Sequence, residues 1–307
     1  MVPPNNTYKP LVSIITVNYN NTGVTEELLA SIRKNSYPNF EVIVVDNASK
    51  EDPSAALKAV YPGVQVICSP QNLGFSGGNN LGLKVAKGEY LFLVNNDTEF
   101  TDGLVEGLLE VFHKYPDAGI ASPKFHYYFH KGTIEYAGYR AVDKFTGRNS
   151  MIGCKEEDNG QYDRIGETNY AHGGGMMVPA RVMQDVGLMP EVYFLYYEEF
   201  DWCEQIRRKG YKVYYQPKSL IYHKESMTTG KNSPLKTYYI NRNRILFMRR
   251  NFSLQQRMFF MFYLVAFTIP KNTLTFLMKR EGVHLKAFWK GIFWNIKNYK
   301  KVTSCVA

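Results

Sequence analysis

The chain has 307 residues, of which 45% are hydrophobic and 21% are charged. These values exclude a disordered chain, a collagen-like fibre and a coiled coil, and the length accommodates two domains or one large α/β domain. The four cysteines include no Cys-x-x-Cys pair, which argues against a disulfide framework or a zinc knuckle and fits a reducing compartment. The polar N-terminus lacks the apolar segment of a secretory signal, so we expect a cytoplasmic protein.

Charge is unevenly distributed along the chain. Residues 231–307 hold 15 Lys and Arg and one acidic residue, whereas residues 1–230 hold 22 basic and 27 acidic residues. We therefore expect a mildly acidic domain over 1–230 and a basic, aromatic-rich helical extension over 231–307. A basic extension binds an anionic membrane or a nucleic acid. Its aromatic residues occur in apolar runs and are not interleaved with glycines and basic residues, which favours the membrane and argues against nucleic acid.

The first 125 residues alternate between short apolar runs and helical stretches. The apolar runs predict strands at 11–17, 41–45, 64–68 and 90–94, and a further strand at 118–122. Helices are predicted at 25–34, 52–59 and 79–86. Near-continuous apolar strands separated by helices indicate an α/β fold with a mostly parallel sheet flanked by helices. In such sheets, ligands bind at the carboxyl ends of the strands.

The rest of the chain is less regular. Residues 125–170 show no clear period and predict loops and irregular strands. Further on, we expect a strand-like segment at 170–179, a helix at 199–209, and short strands at 212–216 and 219–223. The extension contains an apolar run at 258–269 that is followed by Pro270, Lys271 and Asn272.

This apolar run is short for a transmembrane helix. A spanning helix needs about 20 apolar residues, and a lysine near its centre costs about 2.5–3.5 kcal/mol. We therefore favour a shallow amphipathic hairpin on anionic headgroups over a single span. A helical pair packed on the protein body is the alternative.

Polar residues follow the predicted strands. The first strand ends in Asn18-Tyr19-Asn20-Asn21, and the chain has neither Gly-x-Gly-x-x-Gly at this turn nor a Gly-Lys-Ser/Thr loop, which argues against Rossmann dehydrogenases and P-loop enzymes. Asp46, in VVDNAS, is placed either to bind a base or ribose or to cap a turn. Asp97, in LVNND, is placed to bind a divalent ion, although NNDT is also typical of a turn.

Three further segments carry candidate chemistry. The glycines of NLGFSGGNNLG, at 72–82, let the backbone approach a ligand, and the helix that follows offers N–H groups to phosphate. Glu198, Glu199 and Asp201 follow an aromatic run, where carboxylates have raised pKa values and act as bases; the alternative is an acidic first helical turn. His223 ends an apolar strand, either as a metal ligand or as a buried histidine.

In their order, the motifs NYN, VDNAS, NLGFSGGNN, LVNND, HGGGMMV and FLYYEEFDWCEQIRRKGY, with a later histidine, resemble glycosyltransferase family 2. They are most similar to rhamnosyltransferase-like bacterial members with the GT-A fold, over about residues 10–250. The resemblance implies an enzyme of cell-envelope polysaccharide biosynthesis. It would transfer sugar from a UDP- or dTDP-linked donor, with Mn²⁺ or Mg²⁺, to a glycan or lipid-linked acceptor at the inner face of the cell membrane.

The resemblance also implies a role for each site residue. The donor nucleotide would contact Val17, Asn18, Tyr19, Asp46, Asn72, Gly77, Asn79, Asn95 and Asn96. Asp97 and His223 would hold the metal. His172 and Gly174 would lie near the donor sugar and Trp202 near the acceptor. Glu199 would be the catalytic base, with Glu198 and Asp201 as the other candidates.

Three features differ from patterns found in the family. Asn95 replaces the first acid of its Asp-x-Asp motif, which leaves fewer carboxylates for the metal. A member that binds nucleotide sugar or glycan without turnover is therefore the alternative function. The expected base is Glu where Asp is common. The Gln-x-x-Arg-Trp motif of the processive synthases is absent from the sequence, which predicts addition of a single sugar.

Overall fold

The computed structural model describes residues 8–224 and 233–299, and within them ten strands form one sheet. The strands are β1 (Val12–Asn18), β2 (Phe40–Asp46), β3 (Gln65–Cys68), β4 (Tyr90–Val94), β5 (Thr98–Phe100), β6 (Ala118–Tyr127), β7 (Ile134–Tyr136), β8 (Gly166–Glu167), β9 (Gly175–Pro179) and β10 (Lys212–His223). The helices are α1 (Thr22–Arg33), α2 (Ser54–Val60), α3 (Gly74–Val85), α4 (Leu104–Lys114), α5 (Ala180–Val186), α6 (Glu198–Arg208), α7 (Pro234–Asn251), α8 (Leu254–Tyr263), α9 (Ile269–Met278) and α10 (Gly282–Lys297). A 3-10 turn at Glu191–Tyr193 and a π-helical turn at Leu264–Thr268 complete the elements.

The sheet has the strand order β3-β2-β1-β4-β9-β6-β10-β5, with β7 beside β6 and β8 beside β10. Strands β1 to β4 run parallel to one another, as the apolar runs predict. Strand β9 is antiparallel to both β4 and β6, so the sheet is mixed beyond β4. Helices pack against the sheet, and the predicted α/β class is confirmed.

The parallel strands end at the same level. Asn18 lies opposite Asp46, which in turn lies opposite Cys68. Successive residues Ile14 and Ile15 on β1 are both fully buried, as expected for a strand covered on both faces. The carboxyl ends of β1, β2 and β3 therefore form one polar edge next to a buried core. Cys68, Cys154 and Cys203 are free thiols, while residues 1–7 and Cys305 lie outside the described residues.

Helix α3 begins at Gly74, earlier than predicted. Its glycines suggested a loop because Gly destabilises a helix interior by roughly 0.5–1 kcal/mol. A Cβ atom on Gly82 would lie 2.4 Å from Ile15 Cγ2, so the absence of a side chain lets α3 pack directly on β1. Close packing on the sheet outweighs the low helix propensity of this segment.

Residues 212–223 form a single strand, which corrects the prediction of two short ones. Strand β10 pairs with β6 on both sides of a register shift between Gln216 and Leu220. The shift includes Pro217, which has no N–H to donate to the ladder. The strand-like segment predicted at 170–179 is also shorter, since only Gly175–Pro179 forms β9.

Helix α7 is part of the protein body. Asn243 Nδ2 donates to the carbonyl oxygens of Tyr193, Leu195 and Tyr196 at 2.7–3.0 Å, and Arg250 Nε donates to Asp201 Oδ2 at 2.5 Å. The predicted boundary at 230/231 lies outside the described residues, and the division into two domains stays a prediction, since α7 packs against both α6 and α10. The basic charge of residues 231–307 predicts exposed side chains, whereas Arg242 and Arg244 are buried.

Helix α8, the π-helical turn and α9 form one helix from Leu254 to Met278. This corrects the predicted break at Pro270, which lies in the first turn of α9. The π-helical turn directly before it accommodates a residue that has no N–H donor. By length and composition, with a mean hydropathy of 1.3, the helix is able to cross a membrane, and 17% of its most apolar window is buried.

Helix α10 lies along α7. Thr237 Oγ1 and His284 Nδ1 are 2.8 Å apart, and Asn295 Nδ2 donates to Arg242 O at 2.9 Å. The Arg242 guanidinium lies 4.1 Å from the Trp294 ring centroid. The contacts run in the same order along both helices, so α7 and α10 are parallel and packed, as the helical-pair alternative predicts for α10.

Replacing Gly74 with alanine should destabilise the protein. Gly74 has φ of 72°, and a Cβ atom there would lie 2.2 Å from Phe194 O. Left-handed backbone costs a non-glycine residue about 1–2 kcal/mol, and the clash adds to this by displacing the segment before α6. Urea unfolding of Gly74→Ala measures the loss. Gly103→Ala is the matched control, with φ of 73° and no atom within 4 Å; equal losses in both variants would exclude an effect of the clash.

Candidate active site

The carboxyl ends of β1 and β2 carry a polar network centred on Asp46. Asp46 Oδ1 accepts from Asn18 Nδ2 (2.8 Å) and Ser49 Oγ (2.5 Å), and Oδ2 accepts from Ser49 N (3.0 Å). Asp46 therefore closes the turn after β2, and its oxygens retain lone pairs for a ligand. Val17 and Tyr19 flank Asn18 on the chain, and the Tyr19 side chain is exposed.

A second set of hydrogen bonds connects β1 to the turn after β4. Asn96 Nδ2 donates to Thr25 Oγ1 (3.0 Å), and Thr25 Oγ1 donates to Asn18 Oδ1 (2.8 Å). All three side chains are buried. The ends of β1, β2 and β4 are thereby held as one pre-organised edge, where parallel sheets bind ligands.

Asn47 connects the end of β2 to the loop before α3. Its Nδ2 donates to Asn72 Oδ1 (3.1 Å) and Gly74 O (2.9 Å), and its Oδ1 accepts from Leu73 N (2.8 Å). Asn72 Oδ1 also accepts from Gly74 N at 2.8 Å. Asn72 therefore lies at the edge formed by the strand ends, where its amide fixes the shape of the loop.

Some polar groups at the start of α3 are hydrogen-bonded to other protein groups. Phe75 N donates to Phe194 O at 2.6 Å, and Asn79 Nδ2 donates to Phe75 O at 2.9 Å. A Cβ atom on Gly77 would lie 2.6 Å from Leu73 Cβ. Gly77 and Asn79 thus shape the start of the helix, and their contact with a nucleotide stays a prediction.

Asp97, which follows β4, lies beside His223 at the end of β10. Asp97 Oδ1 is 3.1 Å from His223 Nε2. On the other side of the imidazole, His223 Nδ1 is 2.9 Å from both carboxylate oxygens of Glu135, on β7. All three side chains are buried. Pairing of β10 with β5 and β6 brings these residues together from distant parts of the chain.

The charges of this cluster stabilise one another. Burial by itself would lower the pKa of His223, but Glu135 and then Asp97 raise it to about 10. Burial would likewise raise the pKa of Glu135, but His223 and His172 lower it to about 2. In the absence of a cation, His223 is therefore a protonated imidazolium held between two carboxylates.

His172 contacts the same cluster. Its Nε2 lies 3.6 Å from Glu135 Oε1, and atoms of Glu135, His172 and His223 that are able to bind a metal lie within 4.8 Å of one another. However, His172 Nδ1 accepts from Gly174 N at 3.0 Å, so the neutral ring carries its proton on Nε2 and directs it at Glu135. Glu135 therefore faces both imidazoles as an acceptor, which disfavours these three residues as a metal centre.

Asp97 and His223 fit a divalent cation better. One carboxylate oxygen and one imidazole nitrogen suit Mn²⁺, and the Nδ1–H of His223 donating to Glu135 leaves Nε2 as the metal-binding atom. Metal-bound histidines usually have such a carboxylate behind them. Since a cation at Nε2 replaces a proton, we expect metal binding to weaken as the pH falls.

The three carboxylates of the acidic motif have different surroundings at the start of α6. Glu198 is buried, and burial followed by the charge of Glu199 raises its pKa well above the usual value. Glu199 is partly exposed, and burial raises its pKa to about 7. Asp201 is fully buried and accepts from Arg250 Nε and Tyr193 OH, both at 2.5 Å. Glu199 is thus the least buried of the three residues, and its Oε2 is a buried acceptor without a partner among the described residues.

Two residues of this motif serve the core instead of the site. Trp202 is fully buried and its Nε1 donates to Gly187 O at 3.0 Å, so it packs in the core, and its contact with an acceptor stays a prediction. Asp201 binds α7 through Arg250, which removes it as an accessible base. The sequence predicts that Trp202 and Asp201 lie on α6, but not that both are on its buried face.

The segment before α6 has an unusual backbone. Phe194, Tyr196 and Tyr197 have positive φ values of 66°, 69° and 75°, which cost non-glycine residues free energy and persist only where the surroundings enforce them. Asn243 supplies this constraint by donating to carbonyl groups on both sides of Phe194. The strained turn ends at Tyr197 and sets the direction in which Glu199 leaves α6.

The turn 172–174 lies between the Asp97 cluster and Glu199. His172 faces Glu135, and Gly174 O accepts from Asn95 N at 3.0 Å. A Cβ atom on Gly173 would lie 3.7 Å from Glu199 Cδ. The glycines therefore leave room for Glu199 beside the residues that follow β4. The turn 172–174 therefore lies against Glu199 through Gly173 and against the Asp97 cluster through His172.

The Glu135 carboxylate should raise metal affinity by orienting His223. Loss of such a partner usually costs 10–100-fold, so we expect Glu135→Gln, which keeps an acceptor but not the charge, to weaken Mn²⁺ binding roughly tenfold. Mn²⁺ titration of the purified protein by electron paramagnetic resonance measures this. Glu157→Gln, at an exposed residue bonded to Thr133, is the control, and unchanged affinity in Glu135→Gln would exclude the role.

Four site residues escaped the sequence-based prediction. Asn47 and Ser49 belong to the VDNAS motif, so the motif itself was the available signal. Thr25 lies in the middle of an ordinary helix, and Glu135 lies in a segment without periodicity. Neither position has a local pattern that marks it, because Thr25 reaches Asn18 by a side-chain hydrogen bond from α1, and Glu135 reaches His223 by the pairing of β7 with β6.

Comparison with known proteins identifies the family. The model described as Glycosyl transferase family 2 matches residues 13–178, more than half of the chain. The low-salt glycan biosynthesis hexosyltransferase Agl10 of Haloferax volcanii is 26% identical over 250 residues, which cover 79% of this chain and 76% of that protein. Uncharacterised glycosyltransferases of Rickettsia typhi and Rickettsia prowazekii are longer, and the alignments span 64% and 55% of their lengths.

Solved structures share the fold. The mannosyltransferase PcManGT from Pyrobaculum calidifontis, in complex with GDP-Man and Mn²⁺, has a TM-score of 0.59 at 15% identity, over 95% of this chain and 76% of that one. S. aureus TarS 1-349, in complex with UDP-GlcNAc, has a TM-score of 0.56 at 18% identity, over 92% and 80%. The chain therefore belongs to glycosyltransferase family 2 and has the GT-A fold.

Proposed function

We propose that this protein is an inverting, metal-dependent glycosyltransferase that adds one sugar to a hydroxyl group of a lipid-linked or cell-surface glycan. The observation that carries the proposal is the convergence of Asp97, His223 and Glu199 on the turn 172–174. An accessible base and a metal-type pair on two sides of one site suit displacement at an anomeric carbon between them. Nucleotide-sugar complexes of fold relatives, with GDP-Man and Mn²⁺ or with UDP-GlcNAc, agree with this chemistry.

The residues divide the work in the following way. The edge formed by Asn18, Asp46 and Asn96 binds the nucleoside of a UDP- or dTDP-linked donor, and Asp97 with His223 holds Mn²⁺ or Mg²⁺. When bound, the cation neutralises charge on the departing diphosphate. Glu199 accepts the proton of the acceptor hydroxyl as its oxygen attacks the anomeric carbon from the face opposite the diphosphate, which inverts the configuration.

Donor hydrolysis is the direct test. Purified protein is mixed with a panel of nucleotide sugars and Mn²⁺ or Mg²⁺, and then with chelator. We expect release of nucleoside diphosphate from one donor, lost with chelator. Tight donor binding without release, even with membrane lipid extract as a source of acceptor, would instead indicate a member that binds without turnover, the function that Asn95 in place of an acid favours. Absence of binding to every donor would contradict both.

We further propose that the protein is cytoplasmic and bound to the inner face of the membrane by its C-terminal helices. The helix from Leu254 to Met278 exposes large apolar side chains, among them Met258, Phe262, Val265, Leu274 and Met278. Basic side chains accompany this surface at Lys271, Lys279, Arg280, Lys286 and Lys290. Such a face binds anionic lipid by combining apolar burial with charge attraction.

Surface binding agrees with the packing better than a span does. Helix α10 follows the 254–278 helix and returns to pack along α7, which belongs to the protein body. A spanning helix would place α10 on the opposite side of the membrane from α7. Liposome co-sedimentation tests the proposal, and binding that is indifferent to anionic lipid and to salt would contradict it.

A further inference from the structure

Arg244 on α7 is a buried cation, and two of its three guanidinium nitrogens have no hydrogen-bond partner in the part of the chain that the structure describes. Its side chain is 3% exposed, and both Nε and Nη2 are buried with no partner among the described residues. Burying an unpaired charge is costly because water no longer solvates it and no counter-charge replaces the water. A guanidinium in this state is a strong donor for a missing anion, and carboxylates and phosphates are the groups that match its geometry.

The surroundings of Arg244 increase the need for an anion. The loop that carries Arg148 packs against it, since a Cβ atom on Gly147 would lie 3.1 Å from Arg244 Cγ. Arg148 is an exposed cation close enough to disfavour the charge of Arg244, as burial also does. Next to it, Asn149 has a buried Nδ2 with no partner. Within residues 8–224 and 233–299, no acidic side chain is bonded to these two arginines or to the Asn149 amide.

Arg244 and Arg148 are connected to Glu199, the proposed base, through Tyr197. Tyr197 OH donates to Gly147 O at 3.2 Å, and Tyr197 interacts electrostatically with Arg244, Glu199 and Arg148. Tyr197 therefore connects the arginines to the carboxylate that faces the acceptor. The Asp97 pair, which suits the donor diphosphate, belongs to a different group of elements, β4 and β10.

The same group also lies at the start of the apolar surface. A Cβ atom on Gly147 would lie 3.0 Å from Phe260 Cε2 on α8, and the Phe145 and Phe259 ring centroids are 5.6 Å apart. Phe145 and Phe259 are both exposed. An anion bound here would have apolar side chains on one side and Glu199 on the other, which is the arrangement of a lipid chain, a phosphate and a sugar in one molecule.

We propose that Arg244, with Arg148 beside it, binds the phosphate of a lipid acceptor whose sugar is linked through phosphate or diphosphate. The proposal rests on the proposed function and specifies the acceptor class of the same site. The arginines fix the phosphate at the junction of the loop 143–148 with α7 and α8, and the lipid chain continues along the exposed face of α8. The sugar then extends past Tyr197 towards Glu199.

Binding of farnesyl diphosphate, a water-soluble prenyl diphosphate, tests the proposal. Calorimetry is carried out with chelator present, so that no cation bridges the diphosphate to Asp97. We expect farnesyl diphosphate to bind more tightly than inorganic pyrophosphate and far more tightly than farnesol. Equal affinity for pyrophosphate would indicate a free-phosphate site, and full competition by phosphatidylglycerol vesicles would indicate a lipid headgroup site. Either result, or no binding of farnesyl diphosphate, would overturn the proposal.

Variants assign the binding to the two arginines. Arg244→Met, which keeps much of the volume without the charge, should weaken farnesyl diphosphate binding at least tenfold, and the exposed Arg148→Gln should weaken it several-fold. Arg33→Gln, at an exposed arginine on α1, is the charge-matched control and should bind as the wild type does. Wild-type affinity in Arg244→Met would overturn the assignment. If Arg244→Met does not fold, Arg148→Gln decides, and unchanged affinity there would overturn it.

The result is separable from the proposed function. Failure of the proposed function appears as no metal-dependent release of nucleoside diphosphate by the wild-type protein. Failure of the phosphate site appears as the binding results above, whatever the outcome with donors.

Discussion

Glu199→Gln is expected to lower turnover by about 10²–10⁴-fold, because a positioned base contributes this range and the amide is unable to accept the proton of the acceptor hydroxyl. Donor affinity should be retained, since Asp97, His223 and the strand-end network are untouched. Product formation with lipid extract as acceptor and donor binding by calorimetry measure the two effects. Turnover within a few-fold of wild type would exclude Glu199 as the base.

Glu198→Gln is the matched control for this variant. Burial and the charge of Glu199 keep the pKa of Glu198 well above its usual range, which favours the neutral acid, and an amide resembles this form closely. We therefore expect turnover close to wild type. A loss as large as that of Glu199→Gln would show that the acidic pair acts as a unit rather than through one carboxylate.

The pH profile provides a second readout for the same residue. Burial raises the pKa of Glu199 to about 7, and a base is active only when deprotonated. The value of kcat/KM should therefore rise with pH until about pH 7 and level off above it, and this rise should be missing from the residual activity of Glu199→Gln. Stability depends on pH in the opposite direction. Because folding raises the pKa of the Glu199 carboxylate, its contribution to the free energy of unfolding falls as the pH rises through that pKa.

Asp97→Asn is expected to lower turnover by about 10²-fold or more, since it removes the carboxylate that faces His223 Nε2 and with it charge stabilisation of the departing diphosphate. The Mn²⁺ concentration for half-maximal donor hydrolysis should rise at least tenfold. Metal titration of donor hydrolysis measures both. Unchanged dependence on metal in the variant would contradict a metal site at Asp97.

Asn95→Asp makes the opposite change two residues earlier. It restores a second carboxylate to a partly exposed position in the same turn, so we expect half-maximal activity at a lower Mn²⁺ concentration than in the wild type. Reduced metal affinity in this variant would mean that Asn95 faces away from the cation.

The sheet was predictable in its parallel part and less so beyond it. Strands β1, β2 and β4 are apolar on both faces, so the apolar runs in the sequence predict both that these segments are strands and where they lie. The sequence predicts two short strands on either side of Pro217 where the structure has one, β10. A local pattern does not reveal that β10 pairs with β6 on both sides of the proline. The sequence predicts too short a helix α3, because its glycines have low helix propensity. The packing of α3 on β1, which stabilises the longer helix, is not visible in a local pattern.

The site was predictable where a motif carries it. Asp46, Asp97, Glu199 and His223 were found from short segments at strand or helix ends, and all four lie at the edges expected for them. Trp202 and Asp201 belong to the same motif as Glu199, yet they face the core, because one helix turn separates an accessible side chain from a buried one. The role of each residue within a motif therefore needed the tertiary structure.

By itself, the sequence determined the fold class, the family and the order of the chemical motifs, because these depend on residue type and on spacing along the chain. The tertiary structure alone decided three other matters: that Glu135 supports His223, that Asn243 shapes the turn before Glu199, and that Arg244 is buried with two guanidinium nitrogens unpartnered among the described residues. Each depends on side chains that strand pairing or helix packing brings together from distant segments. Burial then sets their charges, since removal from water shifts pKa values and makes an unpaired cation costly.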